Sequence, residues 1–314
     1  MEMYWHWLIV IYLFLGGLGA GAYLTSFAAE KGWLGSNSHL RRAGYYIAAP
    51  VVAFGTLLLV FDLGQGFSKP WLLIRLLFNF GSVMTWGVYI LSAFIIVGLI
   101  KGFLVYKNKS VSTGLTWAGA ILALATGTYT GLLLSVIEAV PFWNSGIMPV
   151  LFVVSALSTG LSVTSLLASF IGLGGSSTIR EGKAHVLLIA IELIIVALFL
   201  GMMSSGTNGP AGAESAKLVM FGSYAIAFWG YFIGLGLLLP LIVFSIDYFQ
   251  SKLSVQKTVT EPSFLGGESA ATVQEGHPPY LTIVTDISVL IGGFALRALI
   301  IFAALPIWDG VTLK

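Results

Sequence analysis

Apolar stretches long enough to cross a bilayer recur eight times along this chain, separated by short polar or charged connections. A helix needs about 20 mostly apolar residues to span the hydrocarbon core. Windows of that kind fall at 5–29, 44–61, 81–100, 114–137, 147–171, 185–203, 218–246 and 281–305. The pattern predicts an all-α integral membrane protein of eight transmembrane helices. Four plus four helices permit two bundles, a first over 1–137 and a second over 147–305. The longest connection, 248–280, is polar and carries Gly266, Gly267, Pro278 and Pro279, as a flexible tether would.

Composition supports the membrane reading. Of 314 residues, 57% are hydrophobic and 9% charged, and the mean hydropathy is +0.95. A soluble domain carries about a quarter charged residues. A net charge of +2 with no basic stripe argues against nucleic acid. No signal peptide with a cleavage site precedes the first apolar span.

Lysine and arginine set the orientation, because they concentrate in cytoplasmic connections. The first, third, fifth and seventh connections hold ten: Lys31, Arg41, Arg42, Lys101, Lys107, Lys109, Arg180, Lys183, Lys252 and Lys257. The termini and even-numbered connections hold Lys69, Arg75, Lys217 and Lys314, while Arg297 falls inside a span. Both termini and the turn between the fourth and fifth helices are therefore expected to face outward.

Absent side chains narrow the chemistry. There are no cysteines, which leaves no ligands for a thiolate-bound iron–sulfur cluster or a cysteine zinc site. His39 and His277 lie in expected loops, His185 at the inner start of helix six and His6 at the outer start of helix one. No two can meet across helices at haem depth, so neither haem nor another metal is expected. The glycine run Gly16, Gly17, Gly19, Gly21 follows no strand, so close helix packing explains it better than nucleotide binding. The same reading covers Ser155, Ser158, Thr159 and Gly160.

The outward side gathers the remaining candidates. Asp62 ends helix two, followed by Gln65, Lys69 and Arg75; Glu138, Trp143 and Asn144 mark the turn after helix four, and His6 lies at similar depth. Charges and tryptophans collect at interfaces in any membrane protein, so an interfacial role for each stands beside a functional one. Tyr129 lies deeper, nine residues before Glu138 and about 13 Å inward. Thr126, Gly127, Thr128 and Gly131 around it would let a helix or a flat ligand approach its ring. Glu192 and Arg297 sit within spans, where ionisable groups mark function or a buried partner. Glu192 is a candidate station for protons, while Arg297 reads as a brace for a carboxylate or helix end.

The segments YLFLGGLGAGAYL, FDLGQGFSKPW, TGTYTGLLLS and PFWNSGIMPVLFVVSALSTG resemble the NrfD family, which includes the membrane subunit of polysulfide reductase. The resemblance implies a multi-pass subunit of a prokaryotic plasma-membrane complex, not an autonomous enzyme. It implies a quinone site near the outer face, with menaquinone favoured over ubiquinone. By position, His6 and Tyr129 would bind the quinone; Asp62 and Glu138, and Glu192 further inward, would handle protons. Gln65, Lys69, Arg75, Trp143 and Asn144 would support the site or dock a partner. The implied partners, on the outward face, are a ferredoxin-like subunit with four iron–sulfur clusters and a molybdopterin catalytic subunit. The loop with Lys69 departs from the family's arginine–proline pattern. The alternatives are a secondary transporter, a proton-translocating protein without a redox role, or a passive anchor. Broken helices in matching halves would mark a transporter, and here Pro240 alone is expected to interrupt a span.

Overall fold

The computed structural model describes residues 7–35, 38–62, 78–172, 179–260 and 279–307. Those residues are helical apart from short turns and contain eight helices long and apolar enough to cross a membrane. In chain order they are α1 (Trp7–Glu30), α2 (Ser38–Asp62), α3 (Val83–Tyr106), α4 (Thr113–Ser135), α5 (Ile147–Gly172) and α6 (Ile179–Ser204). A short α7 (Pro210–Met220) follows. Then α8 runs as a π-helix over Ala227–Leu238 and as an α-helix over Leu239–Thr260, and α9 is Pro279–Phe302.

Hydropathy windows miss helix ends that carry charge. Helix α6 begins six residues earlier than its window because Arg180, Glu181 and Lys183 form its first turns. Lys101, expected in a connection, lies inside α3 and is buried; His39, expected in a loop, lies at the start of α2. The window at 218–246 spans two elements, since a turn at Gly222 separates α7 from α8. The expected tether is helical as far as Thr260; most of the rest lies outside the described residues.

Pro240 does not stand alone, because Pro50 lies within α2. Neither breaks its helix. A proline removes one backbone donor, and the π-helical stretch just before Pro240 shifts the bonding pattern, with the Leu239 amide reaching the Gly234 carbonyl five residues back.

Helices α1 to α4 pack in the pairs α1–α2, α2–α3, α3–α4 and α1–α4, while α5, α6, α8 and α9 pack in a ring. Helix α1 joins the two groups by packing along α5 and touching α9. The contact with α5 is backbone to backbone. A Cβ on Gly21 would strike the Ala156 carbonyl, and one on Gly160 would strike Gly21. On its other side α1 meets α2, where the Ser26 hydroxyl donates to the Leu40 carbonyl (2.8 Å) and accepts from the Gly44 amide (2.9 Å). Small residues allow this approach, and dispersion and hydrogen bonds then hold helices that hydrophobicity cannot sort in lipid.

Candidate functional site

Tyr129 stands on α4 six residues before its end, about 9 Å from that terminus, and is buried. Its ring fills the space over Gly87 of α3, where any β-carbon would overlap it. One residue on, the Thr130 methyl faces Gly16 of α1. The site is thus the junction of α1, α3 and α4 near the face carrying the α4–α5 turn.

Tyr12 of α1, five residues from the start of the described helix, is an electrostatic neighbour of Tyr129. It is fully buried, and its hydroxyl has no hydrogen-bond partner among the described residues. Buried hydroxyls are nearly always bonded to protein, water or ligand. In sequence, a tyrosine in an apolar span looks like packing; only the fold puts Tyr12 beside Tyr129.

The turn after α4 is tied to neighbouring elements. Trp143 is fully buried, and its indole N–H donates to the Ile300 carbonyl of α9 (2.7 Å). The Ile307 amide donates to the Ala139 carbonyl (2.8 Å), and Asn208 Nδ2 donates to the Asn144 and Pro141 carbonyls (2.5 and 3.2 Å). Of the two roles expected for Trp143, burial favours support over direct docking. Glu138 and Asn144 are exposed on this face. His6, Gln65, Lys69 and Arg75 lie outside the described residues; Asp62 is the last residue of α2, and its side chain is likewise outside them.

Glu192 is not part of this cluster. It is buried 13 residues into α6, about 20 Å from its start, deeper than the sequence indicated because α6 begins earlier. The hydroxyls of Ser155 and Ser158 on α5 bond to its carboxylate. Ser155 Oγ also accepts from Arg297 Nη1 (2.6 Å), which donates as well to the Gly293 carbonyl (2.8 Å). Arg297 is fully buried between the rings of Phe14 and Phe152, and Gly17 leaves room for its guanidinium. Ser155 and Ser158 are therefore partners of a buried carboxylate, whereas Thr159 and Gly160 do serve packing.

The same side of α5 continues to further acids. Ser162 lies beside Asp286 of α9, both buried, although neither makes a hydrogen bond within normal limits among the described residues. Ser165 donates to Glu181 of α6, which is also buried. Asp286 was missed in the sequence, although it falls inside the last apolar window at 281–305; its neighbour on α5 emerges only in the fold. Among the described residues no three His, Asp or Glu side chains are grouped to hold a metal ion.

Residues 1–255 match the family described as polysulphide reductase, NrfD. The chain belongs to the NrfD family. It is 34% identical over 268 residues to the C component of polysulfide reductase from Wolinella succinogenes, covering 76% of this chain and 82% of that one. Protein NrfD of Escherichia coli is 31% identical over 276 residues, covering 77% and 84%. The C component of selenate reductase from Mesobacillus selenatarsenatis is 26% identical over 292 residues, covering 77% and 67%. With its eight apolar helices, this NrfD-family protein is a multi-pass membrane protein.

Proposed function

We propose that this chain is the membrane subunit of a respiratory reductase complex and that the α1–α3–α4 junction is its quinone site. The observation carrying this reading is the buried Tyr12 hydroxyl, without a hydrogen-bond partner among the described residues, near Tyr129, whose ring lies on Gly87. Two phenols suit the carbonyl oxygens of a quinone. A quinone supplies two-electron, two-proton chemistry when bound. Tyr129 and Tyr12 would orient it by donating hydrogen bonds, with His6 and Asp62, which the sequence pattern expects at that depth, as further candidates. In the reductive direction that the names of the reductase relatives favour, the site would take two electrons and two protons from a bound quinol and release it as quinone. The electrons would pass to an iron–sulfur subunit seated on the α4–α5 turn and on to a molybdopterin subunit, the partners that the family resemblance implies. The lysine and arginine bias favours an outward turn, and moving Lys101 into α3 leaves that bias in place.

The test is thermal stabilisation of the purified complex by a menaquinone analogue. Wild type should melt higher with the analogue, and Tyr129→Phe should weaken binding about tenfold by removing one buried hydrogen bond. Tyr12→Phe should weaken it similarly while leaving the melting temperature without analogue unchanged or raised, since it deletes an unpartnered hydroxyl. Analogue binding unchanged in both variants would overturn the site.

A second reading concerns protons and rests on the buried acids along α5. Ser155, Ser158, Ser162 and Ser165 recur every three or four residues and face Glu192, Asp286 and Glu181, all buried. They cover about 15 Å, half the hydrocarbon thickness. We read them as a relay linking the interior to the membrane face where α6 begins. In proteoliposomes, Glu192→Gln should retain quinone-linked electron transfer and lose most proton movement. Equal losses of both would dismiss the relay.

A further inference from the structure

On the membrane face opposite Tyr129, a cavity of about 270 Å³ opens between the end of α1, the start of α2 and the end of α3. Its walls carry Arg41, Arg42, Lys101 and Lys109 against one acid, Glu30. That acid is already engaged. Lys101 Nζ donates to it and to Thr116 Oγ1, each at 2.8 Å, and the Tyr45 hydroxyl donates to it at 2.6 Å. Lys101 is itself buried and sits 4.5 Å above the Tyr45 ring. The floor is therefore a neutralised ion pair, while Arg41, Arg42 and Lys109 form no ion pair among the described residues.

The rim is set by the backbone. Helix α3 ends in a left-handed Asn108 (φ 53°), whose amide donates to the Val105 carbonyl while that of Lys109 donates to Leu104, each at 3.0 Å. This is the double bond of a Schellman cap, and it carries Lys109 back over the cavity. Arg41 and Arg42 stand in the first turn of α2, where the helix dipole repels cations and favours an anion.

Between the basic groups the lining is apolar at Val105 and Val111. On the other side of α3, Ile96, Leu99, Ile100 and Phe103 are exposed, so the helix that ends at the cavity meets the bilayer hydrocarbon. A basic cradle at the end of a lipid-facing helix suits a phosphate that carries acyl chains.

We propose that this cavity binds the phosphate group of an anionic membrane lipid. Arg41, Arg42 and Lys109 hold the phosphate oxygens, the Glu30–Lys101 pair forms the floor, and the acyl chains remain in the surrounding bilayer. The face is the one whose connections carry most of the lysine and arginine, and the cytoplasmic leaflet to which that count assigns it is the anionic one. A free phosphate ion shares the head-group chemistry but gains nothing from acyl chains held in the bilayer.

The test uses the full-length protein in its purified complex, delipidated in detergent and followed by native mass spectrometry and melting temperature. Phosphatidylglycerol should bind at least about tenfold more tightly than phosphatidylcholine of the same acyl length, from roughly fivefold per basic contact. The triple variant Arg41→Gln, Arg42→Gln, Lys109→Gln alters exposed side chains only and should erase that preference. Arg41→Lys with Arg42→Lys should keep most of it, and Lys217→Gln on the other face should change nothing. Equal binding of the two lipids, or an unchanged preference in the triple variant, would overturn the proposal. So would stabilisation by inorganic phosphate equal to that by phosphatidylglycerol, which would mark a free-anion site. The quinone assay reads the opposite face, so either proposal can fail alone.

Discussion

Gly21→Val should leave little folded protein in the membrane. A β-carbon at position 21 falls on the Ala156 carbonyl of α5, and across the contact Gly160 already lies against the Gly21 backbone. Neither neighbour is a side chain that can swing aside. Overpacking in a core that can adjust costs about 1–3 kcal/mol; here two helix backbones must separate. The loss should be about 3 kcal/mol or more. It would spread, because α1 is a main link between α1–α4 and the ring of α5, α6, α8 and α9, alongside the packing of α2 and α4 on α5. Size-exclusion chromatography of solubilised membranes and a melting curve measure it. Gly201→Ala is the control: a β-carbon there meets nothing within 4 Å, and alanine favours a helix over glycine. A Gly21→Val protein with wild-type melting would show that α1 and α5 do not meet through their backbones.

The glycine run in helix one was legible in sequence as a packing surface, because small residues at helical spacing have few other uses in lipid. Which helix it met was not legible: Gly160 is nearly 140 residues away, and nothing local marks it as Gly21's partner. Apolar span ends are legible to within a few residues. The ends of α6 and α3 are not, because Glu181 and Lys101 continue the helix buried against Ser165 and Glu30, partners that hydropathy cannot see, while the exposed Arg180 and Lys183 add charge to the first turns of α6.

The candidate site divides along the same line. Tyr129 was visible through its small neighbours, whereas Tyr12 looks like packing until the fold sets it beside Tyr129. Trp143 reads as an interface anchor by type, yet its indole N–H is spent on α9. Glu192 was recognisable as costly; its partners Ser155 and Ser158 read as packing residues, since a hydroxyl on a tight helix contact and one facing an acid look alike in sequence.

Arg297→Met should destabilise the protein strongly, and adding Glu192→Gln should recover much of the loss. Arg297 is fully buried and is linked to Glu192 through Ser155, which accepts from the guanidinium and donates to the carboxylate. The two charges also attract directly. Removing one member of a buried pair leaves the other charge without compensation and costs about 3–5 kcal/mol. The intramembrane setting leaves water little chance to make up the difference. Methionine retains much of the arginine stem's length and keeps contact with Phe14 and Phe152, so cavity formation contributes little. Glutamine at 192 can still accept from Ser155 and Ser158, and Glu192→Gln alone should cost less than Arg297→Met. In a double-mutant cycle the pair should then show a coupling of at least about 1 kcal/mol, within the range seen for directly interacting residues. Strict additivity of the two melting shifts would mean that Arg297 serves only to brace Ser155 and Gly293, and the relay along α5 would lose its buried cation.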